Sequence, residues 1–196
     1  IIQLDKYIWE KTCQVLRRWL DQGRRVLPVS VNISRVDIRE MDVVAVFDRL
    51  LKEYRIPVNY LEVEITESAY VENEDIIKEA ERGLRELGLK ILIDDFGSGY
   101  SSLMLLRNVE FDAIKIDQNF IRGMLDRTRD KILVNIMIDC AHKLNTAVCV
   151  EGVETEELMD ITRGFAAEYF QGYLIAKPLE INALKLFIAG RELTQK

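Results

Sequence analysis

Eight polar side chains fall at or just beyond the C-terminal ends of expected strands and are the residues whose types and spacing could do chemistry: Asn32, Glu64, Asp94, Asp95, Lys115, Asp117, Glu151 and Gln171. Asp94 and Asp95 follow the apolar run 91–93 and lead into Gly97-Ser98-Gly99. Adjacent carboxylates at a strand end repel one another unless a cation neutralises them. With Glu64 and Asn32 they make an all-oxygen ligand set, which suits Mg2+ or Mn2+ better than zinc. Taken alone, the aspartate pair also reads as solvated loop acids beside a glycine turn. Lys115 lies inside the apolar segment 113–116, where a buried ammonium needs anionic company: metal-site carboxylates, a phosphate, or a plain structural ion pair. Glu151 ends the apolar run 148–150 ahead of Gly152 and Glu154, a place that also suits an acid at a helix N-terminus. Gln171 before Gly172 also fits an edge-strand polar role. Glu62 shares strand parity with Glu64, so pointing inward it would need a partner such as a lysine.

Other chemistries lack their residues. No G-x-S-x-G elbow or G-x-x-x-x-G-K-[ST] loop occurs, and Gly97-Ser98-Gly99 lacks the third glycine of a dinucleotide turn, so it reads as a flexible loop. His142 has no histidine or cysteine at ligand spacing and reads as a solvated or partly packed helix residue. Cys13, Cys140 and Cys149 are odd in number without C-x-x-C spacing, which suits buried small hydrophobes rather than a disulfide framework or a thiolate metal site.

Composition bounds the rest. Over 196 residues, 27 Lys+Arg face 33 Asp+Glu for a net charge of −6, which argues against a general nucleic-acid surface, DNA included, yet leaves room for a nucleotide held through metal ions. At 48% apolar and 31% charged the chain can bury a core and does not read as disordered. Its apolar runs fall short of the roughly 20 residues that span a bilayer, and its first residues lack the features of a signal peptide.

The elements that must position these residues alternate strand and helix from end to end, in one expected domain over 1–196. An opening amphipathic helix carries Leu4, Ile8, Thr12, Val15, Leu16, Trp19 and Leu20 on one stripe and stops at Gly23; Trp9 and Trp19 read as core or interface. Strands are expected over 27–33, 61–65, 90–93, 113–116, 147–150 and 168–173. Helices are expected after an Asp42 cap, over 74–87 with an Asn73 cap and a Gly88 stop, near 101–107, over 130–144, after a Thr155 cap, and near 181–189. Such alternation implies a parallel α/β sheet, either an open doubly wound sheet or a closed barrel. Polar residues at the C-terminal ends of six strands favour the barrel, because an open sheet serves its ligand from few strands at one switch point. A (β/α)8 barrel needs about eight strands and roughly 250 residues, so the expectation is a TIM-barrel-like fold, N-terminally incomplete.

Six blocks then stand in order: Val31-Asn32-Ile33-Ser34, Glu64-Ile65-Thr66-Glu67, Asp94-Asp95-Phe96-Gly97-Ser98-Gly99, Ile114-Lys115-Ile116-Asp117, Glu151-Gly152-Val153-Glu154-Thr155 and Gln171-Gly172-Tyr173. Together they resemble the signature blocks of the EAL domain, the bacterial cyclic-di-GMP phosphodiesterase, across essentially the whole chain. The resemblance implies that Asn32, Glu64, Asp94 and Asp95 are metal ligands, with Asp94 bridging two Mg2+ or Mn2+ ions. It implies that Lys115 and Glu151 orient or activate water, with Asp94 part of the catalytic set. Gln171 would help place substrate, Glu67 would hold the loop from Phe96 to Tyr100, and Ser98, Asp117 and Glu154 would contribute to substrate or loop positioning. The family's Glu-Ala-Leu block lies upstream of the opening helix and is not in this sequence.

By this resemblance the expected activity is hydrolysis of cyclic di-GMP to linear pGpG by a metal-activated water. The alternatives are a catalytically silent cyclic-di-GMP-binding regulatory domain and a structural or dimerisation domain using the helix over 130–144. The resemblance further implies a homodimer, a sensor or cyclase-like domain in the parent chain, and a cytoplasmic location, including the cytoplasmic part of a membrane-anchored parent.

Overall fold

In the computed structural model, which describes residues 1–72, 74–99 and 102–194, six strands pair in parallel to form one sheet. They are β1 (Val29–Asn32), β2 (Leu61–Thr66), β3 (Lys90–Phe96), β4 (Ala113–Ile116), β5 (Ala147–Val150) and β6 (Tyr169–Phe170), each beside the next in chain order. The helices are α1 (Ile2–Asp21), α2 (Arg35–Glu40), α3 (Val43–Glu53), α4 (Glu67–Glu72), α5 (Glu74–Glu86), α6 (Ser102–Asn108), α7 (Gln118–Gly123), α8 (Thr128–Lys143), α9 (Glu156–Arg163) and α10 (Ile181–Thr194). Strand order never reverses, so there is no switch point, and the sheet is a half-barrel rather than a doubly wound sheet. Asn73 and Tyr100, read above as a helix cap and a loop end, lie outside the described residues.

Side-chain parity divides the sheet into two faces. Val31, Val63, Ile65, Ile91, Ile93, Ile114, Ile116, Val148 and Val150 are buried and belong to the main apolar core. The alternate positions Ser30, Glu62, Glu64, Leu92, Lys115, Cys149 and Tyr169 line a cavity of about 440 Å3 instead. Helix starts follow local chemistry. Asp42 accepts from the Ala45 N–H at 2.9 Å, Asp117 from Asn119 at 2.7 Å, and Thr155 from Leu158 at 3.2 Å. Gly23 and Gly88, at φ of +61° and +89°, let the chain turn after α1 and α5.

Several expectations need correction. The buried face of α1 is Trp9, Cys13, Leu16 and Trp19, while Leu4 and Ile8 are 59% and 44% exposed. The Trp9 indole sets the rotation: its ring lies 4.9 Å from that of Phe47 on α3, and its Nε1 donates to the Asn32 carbonyl at 2.9 Å. Leu27 lies outside β1, and β6 is only two residues long within the expected 168–173. The short helix α7 was not anticipated; it forms where Asp117 caps the chain directly after β4. Cys13 and Cys149 are buried free thiols, whereas Cys140 is only half-buried. His142 is a partly packed helix residue, its Nε2 3.0 Å from Glu168 Oε1. No helix among the described residues is long and apolar enough to cross a membrane.

The Trp9–Phe47 contact joins α1 to α3 at full burial. Phe47→Ala should therefore cost about 3–5 kcal/mol in urea denaturation followed by tryptophan fluorescence. A loss below about 1 kcal/mol would show that this pair does not anchor α1.

Candidate active site

Four strands converge on one ammonium. Lys115 Nζ, from β4, lies 2.8 Å from Glu64 Oε2 on β2, 2.9 Å from Asp94 Oδ1 on β3, and 2.8 Å from Glu151 Oε1 just past β5. All four side chains are largely buried, and Lys115 retains only 5% exposure. Burial works to discharge the ammonium, but the Glu64 charge and hydrogen bonds to Glu151, Glu64 and Asp94 outweigh it and hold Lys115 above its ordinary value. Burial raises the Glu151 carboxyl against the pull of Lys115, with Asp94 and Glu64 adding to the rise. The Ser30 hydroxyl donates to Glu64 Oε1, filling that carboxylate's other oxygen.

A bulge explains how two consecutive aspartates reach the same rim. The β3–β4 register runs regularly to Ile93 and shifts before Phe96, which returns to the buried apolar face. One extra residue is thereby accommodated, and Asp95 adopts φ +54°, a left-handed conformation that a non-glycine residue rarely takes. Carboxylate oxygens of Asp94, Asp95 and Glu151 lie within 4.8 Å of one another. The Asp95 carboxyl is raised first by burial, then by Asp94 and Asp117, with Lys115 opposing. Four carboxylates share one ammonium here, so negative charge is in excess and every donor is an oxygen, as a hard divalent cation requires.

The loop after β3 is clamped rather than loose. Glu67, fully buried at the start of α4, accepts the Gly97 N–H at 2.8 Å and the Gly99 N–H at 3.3 Å through Oε2. A Cβ on Gly99 would come within 2.7 Å of Glu67 Oε1, so the turn needs glycine there. Ser98 enters through its backbone, its N–H bonding the Asp95 carbonyl at 3.1 Å.

The remaining expected residues are placed as follows. Asn32 is exposed at the end of β1, directly beside Glu64 in register. Asp117 is buried as the cap of α7, a structural position near Asp95. Glu154 accepts from Arg122 at 2.6 Å, and with Glu151 and Gln171 lines a second cavity of about 510 Å3. Gln171 lines both cavities. Ser30 and Arg122 of these walls were not anticipated, although Ser30 stands two residues before Asn32 and shares its parity; Tyr173 stood in a signature block without an assigned role. Lys90 supplies the partner that Glu62 requires, at 3.8 Å from adjacent strands in register.

With this geometry in place, a family model described as the EAL domain matches residues 1–178. The chain belongs to the EAL domain family. It is 36% identical over 188 residues to the cyclic di-GMP phosphodiesterase NbdA of Pseudomonas aeruginosa, covering 96% of this chain and 24% of that protein. PaMucR phosphodiesterase, solved as a c-di-GMP complex, superposes with a TM-score of 0.88 at 29% identity, covering 94% of this chain and 74% of that one. The EAL domain of Mycobacterium smegmatis DcpA superposes at 0.86 and 29%, covering 95% and 84%. The chain spans about a quarter of the length of the curated relatives it matches. This EAL domain is therefore TIM-barrel-like, with its acidic cluster at the C-terminal ends of the parallel strands, the face on which such barrels carry active sites.

Removing the ammonium should leave Glu64, Asp94 and Glu151 uncompensated. Lys115→Met, measured in chelator to keep cations out, should lose about 3–5 kcal/mol in urea. Part of the loss should return as pH falls from about 7 toward 5 and the carboxylates protonate. An unchanged urea midpoint would mean that the three ion pairs hold nothing together.

Proposed function

We propose that this EAL domain hydrolyses cyclic di-GMP to linear pGpG with the help of Mg2+ or Mn2+. The observation that supports this reading furthest is the strand-end cluster of Lys115 with Glu64, Asp94 and Glu151, flanked by Asp95. Asn32, Glu64, Asp94 and Asp95 would hold two ions, and the excess of oxygen donors over the single ammonium fits that role. When bound, such ions acidify a water and neutralise charge building on the scissile phosphate.

The chain's own groups do the rest. Glu151, raised by burial, would take a proton from the attacking water at its carboxylate oxygen. Lys115 Nζ keeps its charge and would donate to that water or to a phosphate oxygen while ordering the carboxylates around it. The water oxygen bonds phosphorus, one ring P–O bond breaks, and the proton taken by Glu151 is exchanged through solvent onto the departing ribose oxygen. Gln171 would orient substrate between the two cavities, and the 510 Å3 cavity, with the Tyr173 ring beside Arg122 and Lys177, would accept a base and its phosphate. Glu67 would keep the 97–99 loop in place beside Asp94 and Asp95.

Two further readings accompany this one. The domain acts as a homodimer through the apolar surface of Ile132 and Ile136 on α8, 54% and 53% exposed. Sensor or cyclase-like regulatory domains of a longer cytoplasmic signalling chain control it, in keeping with the greater length of the relatives.

Chromatography of the chain incubated with cyclic di-GMP and Mg2+ or Mn2+ should show pGpG, and both chelation and Glu64→Ala should reduce its formation at least about 100-fold. Nucleotide binding without pGpG would make the domain a receptor instead, and no binding at all would leave a structural module. In sedimentation, Ile136→Asp should convert a dimer to a monomer; a variant that still sediments as a dimer would place the interface elsewhere.

A further inference from the structure

Strand β6 is two residues long and stands at the edge of the sheet, paired with β5 through Cys149↔Tyr169 and Val150↔Phe170. The backbone ahead of it turns sharply, with Ala166 at φ +56°. By the same register Val148 faces Glu168, and there the Val148 N–H is taken at 2.8 Å by Glu168 Oε2, so a side chain extends the pairing by one position. From the last turn of α8, His142 Nε2 lies 3.0 Å from Glu168 Oε1 and 3.3 Å from Oε2. Burial works to raise the Glu168 carboxyl, but the Val148 N–H and then His142 outweigh it and hold it below its ordinary value. The acceptor is therefore charged, which strengthens its bond to the amide.

Gln171 follows directly on this short strand. Its N–H donates to the Val150 carbonyl at 2.8 Å, and its carbonyl accepts the Val153 N–H at 3.1 Å. Tyr169 and Gln171 share a parity and both line the 440 Å3 cavity. A slip of β6 by one residue would turn both away from it, and a ladder of two residues specifies register weakly. We propose that Glu168 is a positioning residue that fixes the register of β6 and thereby aims Gln171 at the substrate. The inference rests on the reading of Gln171 as a substrate-placing group. The hold on β6 acts from below, through Val148 and α8, while the backbone bonds of Gln171 to Val150 and Val153 act from above. Beyond Gln171 the chain has no slack, because a Cβ on Gly172 would collide with the Val153 carbonyl oxygen.

The test compares the chain with Glu168→Leu, which removes the acceptor, and with Glu168→Gln, which keeps an oxygen for the Val148 amide. The Glu168 side chain is 42% exposed, so neither change opens the core. Amide hydrogen exchange, which needs no turnover, should quicken at least about 5-fold at Val148 and Gln171 in Glu168→Leu and return to within about 2-fold of the parent in Glu168→Gln. KM for cyclic di-GMP should rise about 3- to 10-fold in Glu168→Leu with kcat changed less than about 2-fold, and Glu168→Gln should restore it. Unchanged exchange would overturn the positioning role. Faster exchange with KM unmoved, while Gln171→Ala raises KM, would overturn it too, because the hold would then not reach the substrate. A parental KM in Gln171→Ala would overturn the proposal from the other side, through the substrate role of Gln171, and leave exchange to report the hold on β6. If the chain forms no pGpG, the hydrolase reading fails by itself, and the Kd for cyclic di-GMP takes the place of KM in the same comparison.

Discussion

The structure depends on one ammonium placed where three carboxylates from different strands would otherwise repel. Lys115 bonds acids of β2, β3 and the end of β5 from its own place on β4, so a single side chain ties four neighbouring strand ends. Half-buried carboxylates cannot be crowded this way in isolation, because each loses water and gains a like-charged neighbour. The lysine makes the crowding tolerable without cancelling it. A residual negative field is left at the mouth of the half-barrel, aimed at whatever cation enters.

Around this centre the strand pairing departs from regularity only where the acids require it. The bulge in β3 breaks strict alternation once, bringing Asp95 to the rim with Asp94 and returning Phe96 to the core. The left-handed Asp95 and the turn beyond it persist because Glu67 holds two amides of the next residues from beneath. Within the sheet the break in register is thus confined to the segment that carries the chemistry, and the other strand pairs keep theirs.

Much of this was legible in the residues. Strand ends could be read because polar residues stand in or just after short apolar runs at Asn32, Glu64, Asp94, Lys115 and Glu151, and the caps at Asp42 and Thr155 announce their helices. The need of Lys115 for anionic company follows from burial alone, and the structure supplies three partners where one would have sufficed. What could not be read depends on register and rotation. Lys90 is the partner of Glu62 only because β2 and β3 pair at that offset, and Ser30 reaches Glu64 only across the β1–β2 pair. The buried face of α1 eluded periodicity because one large indole, seated against Phe47, outweighs two aliphatic side chains a third of a turn away.

The sequential strand order also sets when the acidic cluster can come into being. Each strand joins the one made just before it, so the sheet can grow in the direction of synthesis without waiting for distant segments. If the sheet forms in that order, Glu64 and Asp94 precede Lys115, and Glu64 stands 51 residues of chain ahead of its counter-ion. Without that lysine the acids are costly to dehydrate, so burial of the cluster depends on β4 being docked. Closure of the core around the site is in that sense tied to the later half of the chain.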